Sequence, residues 1–484
     1  MVMTQSDLSS LSLSNRYLQL PEEFYSRLQP QPLKNPGLVA FSTSAASLIG
    51  LDPCQVRELE LSVLFSGHRL LKGSVPLATV YSGHQFGGYS AQLGDGRALL
   101  LGEVAAPDGQ LWELQLKGCG RTPYSRHGDG RASLRSVIRE YLGCEAMAAL
   151  GIPTTRALCI IGSETQIYRD SIEFAAGMLR LSPSHIRFGH FEYFYYSRQA
   201  EQLKRLADFV IEHHYPASLA AENPYLDLFQ QVVERTATLV ANWQAVGFCH
   251  GVLNTDNMSI LGLTLDYGPF AFLDDYDPGF VSNRSDEYGR YAFGQQPSIA
   301  LWNCVCLAQT LSGLVPKAGL EVVLGRFEAV YAVVYTDLMR SKLGLADKRL
   351  GDPQLIQDLL QLMAGDGVDY SRAFALLQHE SDAGNKGFSE LFSDQSGITG
   401  WLQRYRARIE CKKLRVEIMA RSNPRYILRS YLAEEAVRRA YDGDHSEIVK
   451  LLSVLRYPYQ NQDFGIYSQA TPEWGRNLSI SCSS

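Results

Sequence analysis

Two apolar runs, ALLLGEV and LWELQL, lie on either side of Pro107-Asp-Gly109. Runs of that length around an Asp-Gly turn predict a β-hairpin, with strands at Ala98–Val104 and Leu111–Leu116. Lys117 closes the second strand. The spacing then changes: Leu134, Val137, Ile138, Tyr141 and Leu142 recur at helical intervals, which predicts a helix from Ser133 to Leu150 ended by Gly151 and Pro153. Arg139 and Glu140 fall outside that apolar set, so tertiary context places them. A long amphipathic pattern from Tyr225 to Val246 ends at Gly247, a suitable C-terminal cap. Short apolar pieces at Met258–Leu261, Leu263–Leu265 and Phe270–Leu273 predict strands. Helical periodicity resumes at Ser298 and runs to about Leu455.

This order of elements is that of a protein-kinase-like bilobal α+β fold, with a small sheet-bearing N-lobe, a mainly helical C-lobe and extra N- and C-terminal segments. The expected divisions are residues 1–60 as a Pro-rich extension wrapping the first lobe, 61–195 as the N-lobe, 196–400 as the C-lobe with its catalytic and metal loops, and 401–484 as a helical extension with a cysteine-bearing tail.

The chain has 484 residues, 45% hydrophobic and 20% charged, an ordinary globular composition. A net charge of −6 gives no nucleic-acid or anionic-membrane signature. No apolar run reaches the length of a membrane span and the first residues lack a signal-peptide pattern, so a cytoplasmic monomer is expected. The nine cysteines include no C-x-x-C pair. Cys304 and Cys306 stand two apart in a helical pattern and do not share a face, so they are expected not to chelate a metal and to pack in a core instead.

The chemistry concentrates in His250-Gly-Val-Leu-Asn-Thr-Asp256-Asn257 and in Asp266-Tyr-Gly268, whose Asp follows Asn257 by nine residues. In the kinase signature H-R-D-L-x-x-x-N the Asp accepts the substrate proton and the Asn binds metal, and a D-F-G supplies a second metal ligand. Asn257 and Asp266 occupy the metal positions; isolated, they would read as a turn residue and a strand cap. The base position holds Val252, which cannot accept a proton, and a carboxylate stands instead at Asp256. His250 is expected to brace the loop.

A kinase-like site also needs a strand Lys held by a helix Glu, and Lys117 and Glu140 are in the right order, 23 residues apart. Alone they would be solvated surface residues. Gly94, Gly96 and Arg97 could bring backbone N–H groups and a guanidinium to phosphate, although a hairpin turn explains the glycines equally well. Asp129 and Gly130 precede the Ser133 helix, where a carboxylate would repel phosphate. Arg180 and Arg187 read either as a phosphate clamp or as two surface arginines.

The strings YSGHQFGGYSAQLGDGRA, ELQLKGCGRTPYSRHGDGRASLRSVIREYL, MLRLSPSHIRFGHFEYF and HGVLNTDNMSILGLTLDYGPFAFLDDYDPGF resemble the selenoprotein O family of pseudokinase-like protein adenylyltransferases. The resemblance covers most of the chain and ends at Cys482-Ser-Ser, where vertebrate members carry selenocysteine. It implies ATP bound flipped relative to kinases, with AMP passed to Ser, Thr or Tyr hydroxyls of proteins, self-modification included, and UTP as a further donor. It implies Gly94, Gly96, Arg97, Lys117, Asp129, Gly130, Arg180, Arg187 and Asp266 as nucleotide contacts, Asn257 and Asp266 as ligands of Mg²⁺ or Mn²⁺, Asp256 as the proton acceptor and Glu140 in support. A kinase with a relocated base and a dead nucleotide-binding scaffold are the alternatives. Cys482 is expected to have a redox role.

Overall fold

Alternation along three strands decides how the first lobe is built. In this computed structural model, which describes residues 7–169, 171–380, 387–462, 464–476, 478 and 480, three short 3₁₀ turns precede β1 (Tyr25–Arg27), β2 (Gly37–Phe41), α1 (Thr43–Leu48) and α2 (Glu58–Phe65). Then come β3 (Leu77–Thr79), the small hairpin β4 (Gly83–Gln85) and β5 (Gly88–Ser90), and the predicted hairpin as β6 (Ala98–Ala105) and β7 (Leu111–Lys117). β8 (Ala132–Ser133) leads into the predicted helix, α3 (Leu134–Ala149), capped by the Ser133 hydroxyl. A long hairpin of β9 (Arg156–Tyr168) and β10 (Ile172–Ser182) completes the lobe.

The main sheet runs β1-β3-β6-β7-β10-β9-β2, with β8 beside β10. The N-terminal segment therefore supplies both edge strands. Successive strand residues face opposite sides of a sheet. Leu99, Leu101, Leu114, Leu116, Leu179 and Leu181 pack on one side in a core with α1 and α2. The opposite face of β7 carries Glu113, Gln115 and Lys117, and β10 sets Arg180 directly opposite Gln115. That polar face is turned toward the second lobe.

The second lobe begins with α4 (Phe188–Tyr196), α5 (Ala200–His214) and α6 (Pro224–Val246). Gly247 ends α6 at φ 73°, the left-handed cap its sequence predicts. β11 (Phe248–Cys249) and β12 (Ala271–Phe272) pair across the loop that carries the site, and α7 (Gln296–Leu311) packs behind it. Helices continue through Ser446–Leu455. Only part of the third predicted strand forms. Met258–Leu261 and Leu263–Leu265 make single bridges, Arg187 with Ser259 and Thr154 with Thr264. Their backbone groups are spent instead on the first lobe, as in Ile260 N–H to the Ile186 carbonyl at 3.0 Å and Thr264 N–H to Pro153 at 2.9 Å.

Candidate active site

The polar face of the sheet and the β11–β12 loop enclose a cavity of about 690 Å³, within the usual size of a small-molecule site. Gly94, Gly96, Arg97, Lys117, Asp129, Gly130, Arg180, Arg187, Asp256, Asn257 and Asp266 all line it. Glu140 lies behind the wall, and α3 turns it inward to the ammonium of Lys117. Both are buried, so the surface reading of this pair is excluded. Burial and neighbouring Arg180 lower Lys117 to about 8, against the pull of Glu140.

Arg180 and Arg187 are core residues as well. Arg180 donates from Nε to Glu140 at 2.5 Å and from Nη2 to Asp266 Oδ1 at 2.6 Å. Arg187 pairs with Asp266 Oδ2 and donates to the Asp256 carbonyl at 2.8 Å. Burial opposes the Asp266 charge, but Arg187, Arg180 and Lys117 together hold its carboxyl well below the usual carboxylate range. Asp266 also sits at φ 59°, a left-handed conformation uncommon for a side-chain-bearing residue.

Val252 lines the cavity in the kinase base position. Asp256 is held by Gln85 Nε2, which donates to its Oδ2 at 3.1 Å, while its buried Oδ1 has no hydrogen-bond partner among the described residues. Burial, eased by Arg187, raises this carboxyl to about 7. Asn257 Nδ2 donates to the Val252 carbonyl at 3.0 Å. His250 braces the loop: Nε2 lies 3.0 Å from the Leu265 carbonyl, which requires it to donate, and Nδ1 accepts from the Val252 N–H at 3.4 Å.

Sequence reasoning missed several residues that line the cavity. Arg169 forms a two-pronged pair with Asp129 at 2.8 and 3.0 Å, which offsets the repulsion that a carboxylate would otherwise offer a phosphate. Asp95, buried, accepts from the Thr79 N–H and hydroxyl at 2.9 and 2.7 Å and thereby fixes the glycine loop around it. A Cβ on Gly94 would stand 2.6 Å from the Tyr124 ring, so packing alone demands that glycine. Gln85 had a signal, the polar residues among the glycines of YSGHQFGGYS. Arg169 had none, since only the pairing of β9 with β10 brings it to Asp129.

A sheet-bearing lobe over a helical lobe, with a Lys–Glu pair above a loop of the H-x-x-x-x-x-x-N type, makes this a protein-kinase-like fold whose usual base position is filled by valine. A family model described as Protein adenylyltransferase SelO matches residues 7–456, and the chain belongs to that family. Protein nucleotidyltransferase YdiU of Pseudomonas aeruginosa is 50% identical over 483 residues, covering 99% of each chain. Those of Pseudomonas fluorescens and Pseudomonas putida are each 49% identical, again over 99% of both chains.

Proposed function

We propose that this protein is a nucleotidyltransferase that moves AMP from ATP to hydroxyl side chains of proteins, itself included, and releases pyrophosphate. One observation carries the reading: a loop carboxylate, Asp256, lines the cavity with one oxygen that no described residue hydrogen-bonds, while valine fills the kinase base position. The hydroxyl attacks the α-phosphorus and its proton passes to Asp256. The bond to the bridging oxygen breaks and pyrophosphate departs. Lys117, Arg180 and Arg187 face the charge that develops on it, in a buried setting where such contacts act strongly. Arg97 and the backbone at Gly94, Gly96 and Gly130 line the nucleotide, and Asp129 with Arg169 stands at the end suited to base or ribose.

The donor set fits a hard divalent cation. Asn257 uses its amide nitrogen on Val252, which leaves its Oδ1 available, and Asp266 supplies carboxylate oxygens. Asn257 and Asp266 would hold Mg²⁺ or Mn²⁺, which would neutralise phosphate oxygens and polarise the phosphorus. We assign residues 61–195 and 196–400 to the two lobes, with residues 1–60 and 401–484 as extensions. Among the described residues no helix is long and apolar enough to cross a membrane. Incubation with labelled ATP tests the reaction: label at the α-phosphate is retained on protein and label at the γ-phosphate is not. Transfer from the γ position alone would make the chain a kinase, and transfer of neither label a binding scaffold.

A further inference from the structure

His84 on β4, Glu192 on α4 and Cys306 on α7 come together outside the nucleotide cavity, with one donor atom from each lying within 4.8 Å of the others. Glu192 is fully buried and Cys306 nearly so, while His84 keeps a partly open edge. His84 Nδ1 lies 2.7 Å from Glu192 Oε1, and Glu192 Oε2 accepts from the Thr255 hydroxyl at 2.6 Å. Imidazole, carboxylate and thiol on three separate elements form a mixed N/O/S donor set, the kind that takes zinc in preference to magnesium.

We propose that His84, Glu192 and Cys306 form a binding site for a zinc-class divalent cation, separate from the nucleotide site. Tetrahedral bonds of about 2.0–2.3 Å place ligand atoms roughly 3.3–3.8 Å apart. Closure therefore needs the His84–Glu192 contact to open slightly and the thiol to move in by about 1 Å. The Cys306 proton leaves to solvent, the imidazole proton moves from Nδ1 to Nε2, and water from the open edge completes the shell. Glu192 keeps its second oxygen on Thr255, the residue before Asp256, so the site adjoins the loop without sharing a ligand with it.

Cobalt(II) is the probe, added to chelator-stripped full-length protein without nucleotide. The expected result is a thiolate-to-cobalt charge-transfer band with tetrahedral visible bands at one equivalent. The band is lost in Cys306→Ser and kept in Cys482→Ser. The nucleotide cavity offers oxygen donors to the metal and gives no such band. Absence of the band from the wild type, or its persistence in Cys306→Ser, overturns the site and leaves His84–Glu192 a hydrogen-bonded brace. If Cys306→Ser does not fold, Glu192→Gln decides. Cobalt affinity weakened about tenfold or more supports the site, and unchanged affinity overturns it.

Discussion

Arg180 Nη2 lies 2.6 Å from Asp266 Oδ1, and Arg187 closes on the other carboxylate oxygen. Before nucleotide binds, the proposed clamp and the proposed metal ligand thus satisfy one another. In Asp266→Ala two buried guanidinium groups lose their shared anion. A melt should show Asp266→Ala destabilised by about 1–3 kcal/mol, softened by the opening of Asp266 to the cleft, together with loss of transfer and of metal-dependent nucleotide binding.

Asp256→Asn keeps the shape of the side chain and can still accept from Gln85, but it cannot take the hydroxyl proton. Transfer should fall by about 10²–10⁴ while ATP affinity holds. Isothermal titration and a label-transfer assay separate the two. A variant retaining near-full rate would remove Asp256 from the mechanism.

Gly83 is pressed against the same carboxylate. A Cβ there would stand 2.8 Å from Asp256 Oδ1 and 2.9 Å from its Cβ, so Gly83→Ala must displace the loop. A shift near 1 Å costs about 10² in rate, and the loss should appear in kcat with nucleotide affinity little changed. Wild-type kcat in this variant would show that the loop yields without consequence.

Lys342 is buried against the faces of Tyr370 and Phe374 and has no carboxylate partner among the described residues. Burial lowers its ammonium to about 7, and the ring faces offset part of that cost. The unfolded chain binds this proton more tightly, so stability rises with pH between about 7 and 10.5 and is at its lowest contribution below that window. Lys342→Met should therefore stabilise the protein by up to a few kcal/mol at pH 7 and by much less near pH 10. Equal gains at both pH values would mean that packing, not charge, sets the effect.

The lining of the candidate site was legible where its residues sit in one short segment. Asp256, Asn257 and Asp266 needed only their order, and Lys117 and Glu140 only a strand followed by a helix. Asp95, Gln85 and Arg169 escaped because their roles depend on strands that return from distant parts of the chain; Arg169 reaches Asp129 only across the β9–β10 hairpin. The strands expected at Met258–Leu261 and Leu263–Leu265 failed for a related reason, since apolar runs do not say which neighbour will take their backbone groups. Cys304 and Cys306 are both buried, in line with the core packing expected of them. Cys482 lies outside the described residues.

Gln115 and Lys117 alternate with Leu114 and Leu116, and Arg180 with Leu179 and Leu181, across paired strands. Slipping β10 by one residue against its neighbours would turn Arg180 into the leucine layer and a leucine into the cleft. Given the role proposed for Arg180, a misfolded chain that kept its secondary structure would be catalytically silent. Turnover in a refolding mixture would count correctly registered molecules, which helical circular dichroism cannot do.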